Sequence, residues 1–113
     1  MSRDYRLYLE DMVESANRIQ KYAKGLSYDE FSRNGMAVDA VVRNLEIIGE
    51  AAKKVPTDVK KRHPEVEWRK VAGLRDIIAH EYFGINQVII WDIVDNKIPK
   101  LKASIKAIVK AER

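Results

Sequence analysis

Arg75-Asp76-Ile77-Ile78-Ala79-His80-Glu81-Tyr82 gathers an arginine, a carboxylate, one of the chain's two histidines and a tyrosine into eight residues. A guanidinium binds phosphate oxygens in a two-pronged fork, and an imidazole moves a proton near neutral pH. The pairing therefore suits phosphate chemistry. Val71, Leu74 and Ile78 recur at the spacing of an apolar helical stripe, so the segment is expected to be a helix. Asp76 and His80, four positions apart, would then share a face, and the carboxylate could hold one imidazole tautomer and favour its protonated form. Arg75 and Tyr82 also share a face but stand roughly 10 Å apart along the axis. Arg75 and His80 are separated by about 140° around it. Long side chains reaching round a common ligand, or a break near His80, would bring the two together.

Apolar periodicity supplies the elements that must position these groups. Tyr5, Tyr8, Leu9, Met12, Ala16, Ile19 and Ala23 keep a stripe through a first helix, entered at Ser2 and stopped at Gly25. Ser27 and Glu30 have the spacing of a capping box for a short helix. Val38, Val41, Val42, Leu45, Ile48, Ala52 and Val55 mark a second long helix that Pro56 ends. Residues 57–63 read as a polar connector of one helical turn capped by Thr57, with His63 a loop residue. Asn86 is placed to cap the last long helix, with Ile85 and Ile90 as its hydrophobic staple. Its stripe is Val88, Trp91, Val94, Ile98, Leu101, Ile105 and Ile108, and Pro99 should kink or split it near Asn96. The expected fold is all-α: residues 1–113 as one domain, an up-and-down bundle of about four main helices. Ile89, Ile90, Trp91, Ile93 and Tyr82 offer more apolar surface than a small core consumes, which predicts a homodimer.

Composition narrows the class. At 46% hydrophobic and 34% charged, the 113 residues are ordinary for a globular protein. Two histidines and no cysteine argue against a dedicated zinc site, and no cofactor motif is present. Asp29-Glu30 suits a helix start better than a metal. No apolar run approaches the roughly 20 residues of a membrane span, and Arg3, Asp4 and Arg6 leave no signal-peptide stretch, so no membrane partner and a cytoplasmic location are expected. The net charge is +4 and is unevenly spread. Lys97 to Arg113 holds six basic residues and one acidic, whereas Asp29 to Glu50 holds five acidic and two basic. A basic terminal helix could flank a nucleic acid or simply be a solvated face.

Arg75-x4-His80-x-Tyr82 resembles the signature of HepT-type toxins, HEPN-domain ribonucleases encoded beside a minimal nucleotidyltransferase antitoxin. Residues 41–52, VVRNLEIIGEAA, are similar to that family's second-helix block, Trp68 to Leu74 leads into the motif as in the family, and His80 to Gly84 with Val88 to Trp91 continues the match. The likeness runs from about Tyr5 to Ile108. It implies an all-helical dimer that brings two Arg/His pairs together in a basic cleft and cleaves RNA without a metal, the ribose 2′-hydroxyl attacking the adjacent phosphate. Arg75 would then stabilise charge on the phosphoryl group and His80 would be general base or acid. Tyr82 matches the tyrosine to which the partner enzyme attaches AMP, which would set bulk and negative charge beside the cleft.

Three supporting residues are expected: Asp76 to orient His80, Asn44 as a helper, and Arg43 as a phosphate contact. Plain structural alternatives stand beside these roles: His80 as a helix-terminal histidine, Arg75 in a solvated ion pair, Tyr82 closing the core, and Arg43 and Asn44 as polar boundary residues. Two functions follow. The first is an endoribonuclease toxin neutralised through Tyr82; the alternative is a non-catalytic helical subunit that presents substrate to a nucleotidyltransferase.

Overall fold

The computed structural model describes residues 3–80 and 87–113, without the side chains of Ile77, Ala79 and His80. All its regular elements are helical: α1 (Tyr5–Ala23), α2 (Tyr28–Arg33), α3 (Gly35–Lys54), α4 (Thr57–Arg62), α5 (Trp68–His80), α6 (Gln87–Asp92) and α7 (Ile98–Ala111). The all-α bundle expected from the stripes is therefore what forms.

The helix boundaries follow local chemistry. Asp4, not Ser2, caps α1: its carboxylate accepts the Arg6 amide at 3.0 Å and also holds the Arg6 guanidinium at 2.8 Å. A carboxylate at this position adds favourable charge at the positive end of the helix. Gly25 ends the helix with φ +77°, a conformation that side chains disfavour. The capping box is present, Glu30 N to Ser27 Oγ at 3.1 Å and Ser27 N to Glu30 Oε1 at 3.0 Å. Asn34 caps α3 by accepting the Ala37 amide at 3.0 Å. Pro56, rather than Thr57, occupies the cap of α4 and gives no side-chain hydrogen bond there. The expected cap at Asn86 and staple at Ile85 lie outside the described residues.

Pro99 produces the expected irregularity in a specific form. Between α6 and α7 the chain makes a π-helical turn at Ile93–Lys97, so the helix widens instead of breaking just before the residue that cannot donate an amide.

Helix α3 lies between α1 and α5, and α7 packs on the other side of α1. Their stripes meet in one core around Leu9, Met12, Ile19, Val41, Leu45, Ile48, Ile98, Ile105 and Ile108, each fully buried. Burying a side chain of this size contributes roughly 1.5–3 kcal/mol. Phe31 and Tyr28 pin α2 to α6 through Trp91, at ring separations of 5.1 and 6.4 Å. Ile90 and much of Trp91 and Ile93 are consumed by this core, so the unpartnered apolar face is narrower than expected. Val88 and Ile89 remain exposed, as does Met36 at the start of α3. Among the described residues, no helix is long and apolar enough to cross a membrane.

His63 is more than a loop residue. Its Nε2 lies 2.8 Å from Glu112 Oε2, and its carbonyl accepts the Trp68 indole N–H at 2.9 Å. Glu112 also accepts from the Tyr5 hydroxyl at 2.7 Å and the Arg62 guanidinium at 2.6 Å. One nearly buried carboxylate thus ties the end of α7 to α1 and to the α4–α5 connection. These donors hold its pKa down at about 2.

Candidate functional site

Gly49 sets the geometry of the site. It is buried on α3 where α5 crosses, and a Cβ built there would lie 3.2 Å from the Val71 carbonyl oxygen, 3.3 Å from the Arg75 amide nitrogen and 3.4 Å from the Ala72 carbonyl oxygen. Only a hydrogen in place of a side chain lets the two backbones come this close. The next residue, Glu50, then meets the Arg75 side chain, Oε2 to Nη1 at 3.2 Å. That Oε2 is itself shielded from solvent and makes no hydrogen bond of good geometry among the described residues, so the contact is an ion pair by proximity. The rest of the Arg75 side chain is about half exposed, at 52%.

Arg75 opens into a cleft of about 330 Å³ between α1, α3 and α5. Arg43 lines it too, strongly exposed and only loosely paired with Glu46 at 3.8 Å. Arg3, Tyr8 and Lys54 line it as well, from regions far from the motif in sequence, as do the carboxylates Asp11, Glu46 and Glu50. The Arg3 guanidinium is aligned by Asp11, at 2.7 and 3.4 Å, and stands 4.8 Å from the Tyr8 ring centroid. The Asp11 hydrogen bond raises its pKa further, so Arg3 stays charged. The Lys54 ammonium is 5.7 Å from the same ring. Both distances are within cation–π range.

Each arginine of the cleft is therefore held by a carboxylate while its outer edge faces water. Exposed pairs of this kind contribute about 0–1 kcal/mol, so a dianionic or polyanionic ligand can compete for the guanidinium. The arrangement can bind phosphate, and within it the Tyr8 ring lies under the Arg3 and Lys54 cations.

The remaining expected residues are distributed as follows. Asp76 is exposed on α5. Asn44 is buried, with 5% of its surface accessible, and does not line the cleft. Its amide group donates to the Ala40 carbonyl at 2.8 Å, and its Oδ1 has no hydrogen bond among the described residues. His80 closes α5, its side chain lying outside the described set, and Tyr82 lies outside it altogether. Among the described residues no group of three or more His, Cys, Asp or Glu is arranged to hold a metal.

A family model described as "Ribonuclease HepT-like" matches residues 12–108. A Methanocaldococcus jannaschii protein that bears an RNase name is 41% identical over 94% of this chain and 97% of its own length. Another with an RNase name, from Caldanaerobacter subterraneus subsp. tengcongensis, is 39% identical over 96% of both chains. The "probable ribonuclease HepT" of Thermococcus cleftensis is 38% identical over 97% of this chain and all of its own. No solved structure matches the chain significantly. A match that spans nearly the whole bundle, including α3 and α5, which carry Arg43, Glu50 and Arg75, means that this chain belongs to the HepT-like ribonuclease family.

Proposed function

We propose that this ribonuclease is the toxin of a toxin–antitoxin pair, a metal-independent endoribonuclease whose reacting groups are Arg75 and His80. The observation that carries the reading is the seating of Arg75 at the α3–α5 crossing, its guanidinium held at the edge of a cleft that three other cations line. A phosphodiester entering there would meet a guanidinium already positioned, so little reorganisation is left for the transition state.

In the proposed reaction the ribose 2′-oxygen loses its proton to an imidazole and attacks phosphorus. The bond from phosphorus to the 5′-oxygen breaks, and that oxygen leaves protonated by an acid. His80 and its counterpart in a second copy would serve as base and acid. Arg75 would bind the non-bridging oxygens as their charge grows. The products are a 2′,3′-cyclic phosphate and a 5′-hydroxyl. Asp76, four residues before His80, would orient the imidazole. Arg43 would contact a neighbouring phosphate, and Asn44 would act through α3 packing rather than through direct contact.

The proposal includes a homodimer, supported by the exposed Val88, Ile89 and Met36, and a nucleotidyltransferase antitoxin that attaches AMP to Tyr82. The phosphate added with AMP would carry negative charge and repel RNA.

The test is cleavage of single-stranded RNA by the purified chain in EDTA, beside His80→Ala. Loss of a general acid or base should slow cleavage by about 10²–10⁴. EDTA-resistant cleavage that leaves cyclic phosphate ends and disappears in the variant supports the reading. Undiminished cleavage in His80→Ala removes His80 from the reaction.

A further inference from the structure

The geometry points to a second binding element in the same cleft: a stacking subsite, built on Tyr8 and flanked by Arg3 and Lys54, for an unpaired RNA base next to the cleaved phosphate. The inference rests on the ribonuclease reading of the cleft and adds to it a contact that the Arg75-to-Tyr82 motif does not contain.

Three observations converge. First, Tyr8 lies on α1, where its neighbours along the apolar stripe, Leu9 and Met12, are fully buried, yet Tyr8 itself is only half-buried and lines the cleft. The ring thus lines a charged cavity instead of closing the core, and the groups over it are side chains that an entering base can displace. Second, two cations lie over that ring, Arg3 from the segment before α1 at 4.8 Å and Lys54 from the end of α3 at 5.7 Å. Arg3 is fixed by Asp11, whereas Lys54 is an exposed lysine at the end of α3. A base stacking on Tyr8 would take the place of one of these cations over the ring and leave it free to bind the adjoining phosphate. Third, the cleft volume of about 330 Å³ is at the lower edge of the roughly 300–1,000 Å³ typical of ligand sites. That suits one nucleotide unit better than a duplex.

An aromatic ring with neighbouring cations is how proteins hold single strands without reading sequence, because every base has a π-face. Arg75 and Arg43 would take the phosphate at one end of the cleft, and Tyr8 the adjoining base at the other. Discrimination would then favour unpaired RNA over paired RNA, whose bases are already stacked on each other.

The test uses a fluorescein-labelled, 2′-O-methylated single-stranded oligoribonucleotide, which lacks the attacking hydroxyl and so reports binding without cleavage. Tyr8→Leu, which keeps apolar bulk against the core, should bind on the order of tenfold more weakly than the unaltered chain, and Tyr8→Phe should restore most of that loss. Lys54→Ala should weaken binding and flatten its salt dependence. With the natural RNA, Tyr8→Leu should raise KM and leave kcat within about threefold. Matched circular dichroism melting curves exclude unfolding as the cause. Tyr8→Leu and Lys54→Ala binding as tightly as the unaltered chain would overturn the subsite while leaving the cleavage reading intact. Tyr8-dependent binding by a chain that cleaves nothing would keep the subsite and remove the catalytic reading. A chain that binds no RNA overturns both.

Discussion

The α-carbon of Gly49 faces the backbone of Arg75 so closely that a methyl group at position 49 would come within 3.3 Å of the Arg75 amide nitrogen. All three nearest neighbours of that methyl, the Val71 and Ala72 carbonyl oxygens and the Arg75 amide nitrogen, are main-chain atoms, which cannot swing aside as a side chain would. Gly49→Ala is thus expected to push α5 outward by a few tenths of an ångström. Overpacking costs about 1–3 kcal/mol, and the better helix propensity of alanine returns about 1 kcal/mol. The net loss of stability should be about 0–2 kcal/mol, read from denaturant melts. If Arg75 is the group that binds the phosphoryl oxygens, the same shift should cost disproportionately more in cleavage than in stability. Equal activity at full folding would show that the crossing does not set the site.

Arg75 itself separates function from folding. Its side chain is half exposed and its partner Glu50 offers an ion pair without good hydrogen-bond geometry, so Arg75→Ala should change stability by less than about 1 kcal/mol. Removing a donor that stabilises transition-state charge typically slows catalysis by about 10²–10³. Arg75→Lys keeps the charge but loses the fork, and should recover only part of the rate. Melting temperature and single-turnover cleavage, measured on the same preparations, check both halves. A large fall in melting temperature would make Arg75 a structural residue.

Much of this fold was legible as periodicity. The stripes through α1, α3 and α7 each need only local spacing, and the glycine and proline stops act within a residue or two. Pro99 is instructive: its missing amide predicted a local fault, but whether the helix breaks or widens depends on packing, and here a π turn absorbs it. Arg75 was legible as a phosphate-binding candidate by its type and place in the motif, and Arg43 only through the family resemblance; both line the cleft. Arg3, Tyr8 and Lys54 were not, because they reach the cleft through the α1–α3 packing, and Tyr8 at stripe spacing reads as core. His63 was misread for the same reason: its partner Glu112 is 49 residues away. Asp4 replaced Ser2 as a cap because two capping residues stood within one turn, and spacing could not choose between them.

Glu112 makes the fold sensitive to acid in a definite window. Its pKa is lowered from 4.5 to about 2 by hydrogen bonds from Arg62, then His63 and Tyr5. A group depressed on folding contributes stability that is fully present above its unfolded pKa and is lost as pH falls through the folded one. The contribution should therefore fade between about pH 4.5 and pH 2. Glu112→Gln, which cannot carry the charge, should be less stable than the unaltered chain at pH 6, and the gap should close near pH 2. Asp4 has a similarly lowered pKa and remains in both proteins, so the difference between the two acid titrations isolates Glu112. Parallel curves down to pH 2, followed by circular dichroism, would mean that the carboxylate's charge contributes nothing to folding.

The proposed dimer can be tested at Ile89. About half of this side chain is exposed, beside Ile90, which the core already buries. If a second copy covers Ile89, a charge there would be buried without a partner on association but would stay hydrated in the monomer. Ile89→Asp should then leave the helical signal of the monomer nearly unchanged and shift the mass measured by light scattering from dimer to monomer. Cleavage should fall with it if both copies supply a His80, and should return on mixing with a chain altered only at a cleft residue if each site draws on both subunits. A variant that stays dimeric would place the contact elsewhere, with exposed Met36 the next position to alter.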